Sequence, residues 1–213
     1  MSFYRDQVLP RLVDLTCGTP GMDGWRARAT EGLRGRVVEI GFGSGLNVAH
    51  YPAEVDVVLA VEPAPVAKRL AAKRVAGSRV AVEQIGDDAR SLPLEDRSCD
   101  AALSTFTLCT VPDPDRVLDE LFRVLRPGAS LHVLEHGISP DPRVAAWQRR
   151  LDPVQRRLAD GCHLTRDATA LLTGRGFRVE RREQAYARGP KPWSYFTVAV
   201  ATRPQDHGPS DGR

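Results

Sequence analysis

Residues able to do chemistry crowd into the first half of the chain. Glu39-Ile40-Gly41-Phe42-Gly43-Ser44-Gly45 follows a short β-branched run. Glycines at alternate positions let a loop turn tightly and let a ligand approach bare backbone N–H groups. Glu62-Pro63 closes the next apolar run, where an open α/β sheet places the acid that takes both hydroxyls of a ribose. Asp88 closes the third run and is placed to accept from an exocyclic amine such as that of adenine. A dinucleotide loop would read GxGxxG, but Leu46 stands where the third glycine would fall, which speaks against a nicotinamide cofactor. An acid two residues before the first glycine would repel a pyrophosphate and attract an ammonium group. S-adenosylmethionine carries one.

The elements that must position these residues alternate between short β-branched runs and helical patterns, as in a parallel sheet with crossover helices. Strands are expected at Arg36–Ile40, Val55–Val61, Val80–Ile85, Asp100–Ser104 and Leu131–Glu135, with two more, Phe177–Arg182 and Tyr195–Ala201, pairing antiparallel. A helix is expected to restart over Gly45–His50, and another over Val66–Ala76. Asp113-Pro114-Asp115 caps one that Pro127-Gly128 stops. Val144–Ala159 reads as a helix interrupted near Pro153, and Arg166–Gly174 as a further one. The fold class is α/β: a Rossmann-like, seven-stranded, mostly parallel sheet ending in an antiparallel hairpin. One domain is expected over 1–202, with an N-terminal helical cover at 1–35, a core at 36–202 and a disordered tail at 203–213.

The segments VVEIGFGSG, VLAVEP, GDDARSLPLEDRSCDAALSTFTLCTV and LDELFRVLRPGASLHVLEH resemble, in order and spacing, the class I S-adenosylmethionine-dependent methyltransferases of the type 11 group. Three further pieces resemble the microsomal thiol methyltransferase family and its bacterial relatives. They are Gly45-Leu46-Asn47 with Tyr51-Pro52, Leu108-Cys109-Thr110-Val111, and Leu151-Asp152-Pro153 leading to Asp160-Gly161-Cys162-His163-Leu164-Thr165-Arg166. The resemblance implies that Glu39 with Gly41 and Gly43 holds the methionine moiety, with Phe42, Gly45 and Pro63 also at the cofactor. It places Glu62 at the ribose, Asp88 with Ala89 at the adenine, and Thr105 at the sulfonium end. It also implies S-adenosyl-L-methionine as cofactor and a small acceptor, foremost a thiol. N- or O-methylation of a quinone, a lipid head group or a secondary metabolite is the alternative, and a cofactor-binding module without catalysis is a third reading.

Methyl transfer is an in-line displacement that asks mainly for alignment, and a thiol acceptor needs only modest deprotonation. His136, after the fifth strand, and His163 are the candidate bases. Against these stand structural hydrogen bonds. Cys162 has only His163 beside it, and His132, Cys99, Cys109 and His163 lack metal-ligand spacing, so no metal site is expected. Trp147, Trp193 and Phe106 could wall an acceptor pocket, while Trp25, Arg26 and Arg28 fall in the cover, the arginines reading as solvated surface.

Composition sets the outer bounds. The 213 residues carry 30 basic and 27 acidic side chains for a net charge of +3, which offers no footprint for nucleic acid or an anionic membrane. Four scattered cysteines form no secreted framework, and the first fifteen residues, charged and broken by Pro10, form neither a signal segment nor a membrane span. A cytoplasmic protein is expected.

Overall fold

The computed structural model describes residues 3–206, apart from the side chains of 5 and 6. Seven strands, β1 (Gly35–Ile40), β2 (Val55–Val61), β3 (Ala81–Gly86), β4 (Cys99–Thr105), β5 (Leu125–His136), β6 (Arg178–Tyr186) and β7 (Tyr195–Thr202), make one sheet in the order β3-β2-β1-β4-β5-β7-β6. The first five run parallel, and β7 lies antiparallel between β5 and β6. This is the expected fold class.

The central strands are apolar without alternation because both faces are covered. On one face α2 (Pro20–Thr30) and α3 (Pro65–Ala76) set Trp25, Ala29 and Ala71 against Val37, Val58 and Leu103. On the other, α4 (Pro114–Val124) and α6 (Ala168–Gly174) set Val117, Leu118, Leu121 and Leu172 against Val38, Leu59 and Val133. The start of α4 follows from its sequence: the Asp113 side chain accepts from the Arg116 N–H, and Pro114 fills the first turn, where a missing N–H costs nothing. The N-terminal segment forms a π-helical turn (Tyr4–Val8), α1 (Leu9–Cys17) and α2.

Four expectations are corrected. The chain after the glycine loop makes only a 3-10 turn, Val48–His50, because Gly45 at φ +75° turns the chain away from helical geometry. The helix expected to stop at Pro127-Gly128 ends at Val124, and β5 begins at Leu125. Pairing with β4 jumps from Cys99 opposite Leu125 to Ala101 opposite Ser130, so the Pro-Gly pair sits in a bulge. Pro153 does not interrupt α5 (Pro142–Leu158); it removes one rung of the helix without ending it. The tail is fastened at its start: Arg203 is buried, and its guanidinium donates to the carbonyls of Phe122 (2.7 Å) and Leu125 (2.7 Å). The rest of the expected tail, 207–213, lies outside the described residues.

Candidate active site

From β1 the chain winds outward through β2 and β3, and from β4 it winds the other way, through β5. The order reverses between β1 and β4, and in open α/β sheets the crevice at the carboxyl ends of such strands is where ligands bind. Glu39 on β1, Glu62 just past β2, Asp88 just past β3, Thr105 at the end of β4 and His136 at the end of β5 all fall on this rim.

The glycine loop is shaped for close approach. Gly41 has φ +64° and packs so tightly that a Cβ there would overlap the Thr107 hydroxyl. Gly43, at φ +59°, is different: a Cβ would meet nothing nearer than the Gly41 carbonyl at 3.8 Å. Its open side leaves room for a ligand to reach the backbone. Phe42, between them, is buried and packs below the loop. The loop is also held from the cover, where Asp14 of α1 accepts from the Ser44 hydroxyl (2.5 Å) and pairs with Arg74 (2.8 Å).

Glu62 is buried, and its carboxylate is oriented by two backbone donors. Oε2 accepts from the Gly43 N–H at 2.7 Å and Oε1 from the Ala64 N–H at 2.7 Å, the second supplied by the turn through Pro63. Each oxygen keeps lone pairs for a vicinal diol, the arrangement that a ribose requires. Burial pushes its pKa up, against both N–H bonds.

Glu39 lies deeper than a direct ligand contact requires. It is fully buried, with Oε1 accepting from Asn47 Nδ2 (2.9 Å) and Oε2 from the Tyr51 hydroxyl (2.6 Å). Asn47 also donates to Thr105 Oγ1 (3.0 Å) and accepts from Arg26 (2.7 Å), whose guanidinium reaches the Cys17 carbonyl (3.3 Å). Burial raises the Glu39 pKa to about 7, opposed by its bonds to Tyr51 and Asn47 and by Arg26. Arg26 is thus no solvated arginine. It ties the cover to the strand ends, whereas Arg28 stacks on the Trp25 ring at 4.1 Å and pairs with Glu183.

Asp88 is half-exposed and held by its own neighbour, accepting from the Arg90 N–H (2.9 Å) and guanidinium (3.0 and 2.9 Å), which lowers its pKa. Ala89 follows it against the core. The bonds to Arg90 leave Asp88 acceptor capacity on the rim.

At the other end of the crevice Glu135, unremarked in the sequence, gathers the turn after β4. Fully buried, it accepts from the Ser104 hydroxyl (2.8 Å) and from the N–H groups of Thr107 (3.1 Å), Leu108 (2.9 Å) and Cys109 (3.0 Å). Phe106, at φ +54°, stacks with His136 and Phe196, both at 5.1 Å, and Phe196 meets Trp25 at 5.5 Å. A backbone held in that region at a non-glycine is a mark of functional turns. Of the expected pocket aromatics only Phe106 joins this wall; Trp147 is 55% and Trp193 37% exposed.

His136 Nδ1 faces the sulfurs of Cys109 (3.6 Å) and Cys162 (3.7 Å). The hydrogen bond that the two thiols share lowers the pKa of Cys162, helped by His136, and raises that of Cys109. His163 has another role: its ring lies 3.4 Å from Asp152 and its N–H donates to the Cys109 carbonyl (2.8 Å), fastening one loop to the other. Sequence reasoning missed Asn47, Tyr51 and Glu135 as site residues. The first two stood in the resembling motif, and Glu135 gave no signal beyond a charge inside an apolar strand.

Fold and rim together define the class I S-adenosylmethionine-dependent methyltransferases. The methyltransferase domain family matches residues 38–133. Thiol S-methyltransferase TMT1B of Homo sapiens is 34% identical over 175 residues, covering 78% of this chain and 69% of the relative. The Rattus norvegicus protein of that name is 36% identical, covering 62% and 55%. Phosphatidylethanolamine N-methyltransferase of Cereibacter sphaeroides is 30% identical, covering 55% and 58%. A SAM-dependent methyltransferase structure from Methanosarcina mazei superposes with a TM-score of 0.60 at 24% identity, covering 80% of this chain and 93% of that one. The chain spans 55 to 69% of the length of these curated relatives. The chain belongs to the class I S-adenosylmethionine-dependent methyltransferases, and within that class it is similar to the thiol S-methyltransferases.

Proposed function

We propose that this chain transfers the methyl group of S-adenosylmethionine to a small acceptor, with a thiol as the acceptor atom. The carrying observation is the Glu62 carboxylate, oriented by the Gly43 and Ala64 N–H groups at the mouth of the glycine cradle. When bound, the cofactor supplies an electrophilic methyl on a positively charged sulfur. The protein's part is to hold and align. Glu62 takes the ribose diol, the open side of Gly43 admits the ligand to backbone, and the buried Glu39–Asn47–Arg26 network keeps the loop and Thr105 in register. Asp88 and Ala89 border the adenine end, and Phe106, Phe196 and His136 wall the acceptor side.

The thiol reading draws on the two TMT1B relatives. A thiol ionises near pH 8.5, so a strong base is unnecessary, which suits a His136 turned toward two cysteines. The four cysteines are free, in keeping with a reducing, cytoplasmic setting. Among the described residues no helix is long and apolar enough to cross a membrane. A lipid or quinone acceptor is the second reading, favoured by the similarity to the phosphatidylethanolamine enzyme.

A panel of thiol, phenol, amine and lipid acceptors with methyl-labelled cofactor tests the proposal. Label on thiols supports it, and turnover confined to the other acceptors overturns the thiol reading. A thermal shift with NADH and none with S-adenosylhomocysteine overturns the cofactor reading as well.

A further inference from the structure

Cys109, His136 and Cys162 come from three separate segments, the turn after β4, the end of β5 and the loop after α5, and converge on one point. The two sulfurs stand 3.7 Å apart, and His136 Nδ1 lies 3.6 Å from that of Cys109 and 3.7 Å from that of Cys162. Around a tetrahedral zinc, with Zn–S of about 2.3 Å and Zn–N of about 2.0–2.1 Å, two sulfurs lie about 3.8 Å apart and sulfur and nitrogen about 3.6 Å. The triangle therefore has the dimensions of one face of a zinc tetrahedron.

We propose that Cys109, His136 and Cys162 bind a zinc ion and leave its fourth position to an exogenous ligand. Among the described residues no fourth His, Cys, Asp or Glu joins the group. Two cysteines and a histidine with one position open are the donor set of catalytic zinc sites.

A second feature fits an ion here. The triangle is preorganised: the Cys109 N–H is held by Glu135 and its carbonyl by the His163 N–H, while the Phe106 and Phe196 rings pack on His136 at 5.1 and 5.3 Å. Ligands braced in this way are what a metal site needs. Arg166 donates to the Leu108 and Val111 carbonyls and so braces the same turn that Glu135 gathers. A disulfide is the competing product. It requires sulfurs about 2.05 Å apart and gives no reason for an imidazole nitrogen equidistant from both.

The test uses the full chain, reduced, stripped with a chelator and titrated with Co2+, then with Zn2+. The expected result is the visible absorption of tetrahedral cobalt with a near-ultraviolet thiolate-to-cobalt band, saturating at one equivalent and erased by Zn2+. Cys162→Ser and His136→Asn each lose the band or bind Co2+ at least about tenfold more weakly, while Cys17→Ser keeps it. S-adenosylhomocysteine binding by each variant reports folding. Should the variants fail to fold, the wild-type band and its stoichiometry still decide. No tetrahedral band in the wild type overturns the proposal, as does a band unchanged in both folded variants or a Cys109–Cys162 disulfide that persists in reducing buffer.

Discussion

The Glu62 carboxylate is tied to Gly43 across the crevice, accepting its N–H at 2.7 Å while the other oxygen takes the Ala64 N–H at 2.7 Å. The glycine loop and this acid are therefore held as one unit. Glu62→Gln turns an amide NH2 toward one of these donors and releases the loop. The expected outcome is a fall of about tenfold to a hundredfold in S-adenosylhomocysteine affinity by calorimetry, with little change in melting temperature.

Gly41 and Gly43 separate structure from binding. Gly41→Ala drives a methyl group into Thr107, whose hydroxyl already donates to the Ile40 carbonyl (3.2 Å), and should lower both stability and cofactor affinity. Gly43→Ala meets nothing nearer than the Gly41 carbonyl at 3.8 Å but must hold φ +59°, so its loss should fall mainly on cofactor affinity. Equal melting temperatures for the two variants would contradict this division.

Two buried groups impose opposite pH dependence. Burial raises the Glu39 pKa to about 7, so its contribution to stability is full below its ordinary value of 4.5 and is lost as pH rises through 7. Burial lowers the His132 pKa to about 4, so its contribution is full above 6.5 and is lost as pH falls through 4. Between these values the slopes cancel. Relative to the wild type, Glu39→Gln should lose stability as pH falls from 7 to 4.5, and His132→Asn should gain stability as pH falls from 6.5 to 4. Each difference should approach about 3 kcal/mol in denaturant titrations across that range.

Glu135 holds four donors and faces no water. Glu135→Gln keeps the shape but replaces an acceptor by a donor opposite backbone N–H groups. A loss of about 2–4 kcal/mol is expected by chemical denaturation, together with release of the turn bearing Cys109. A neutral result would mean that the turn is held by other contacts.

Arg203 fastens the end of the described chain. Arg203→Ala strips donors from the Phe122 and Leu125 carbonyls and should cost about 1–3 kcal/mol in chemical denaturation.

Much of this was legible in the sequence because it rests on local pattern. Continuous β-branched runs ended by glycine or acid read directly as parallel strands covered on both faces. The glycine loop and Glu62 read as a cofactor grip because each needs only its own strand end and a neighbouring turn. Asp88 was placed on the right rim, but its hold by Arg90, two residues on, went unread. Where local signals were trusted too far, as at Pro153 and Pro127-Gly128, packing and a bulge absorbed them.

The chain's own order of residues was enough to determine the sheet class and to mark the glycine loop and Glu62 as one candidate site, since period and spacing act within a few residues. Only the tertiary structure decided what Glu39, Arg26 and the cysteines do. Glu39 became an inner brace because Asn47 and Tyr51 close over it, and Arg26 left solvent because the cover folds back onto β1 and β4. Cys109 and Cys162 are 53 positions apart in the chain and 3.7 Å apart in space. No spacing rule reaches that far: their meeting with His136 depends on β5 lying beside β4 and on the loop after α5 returning over both.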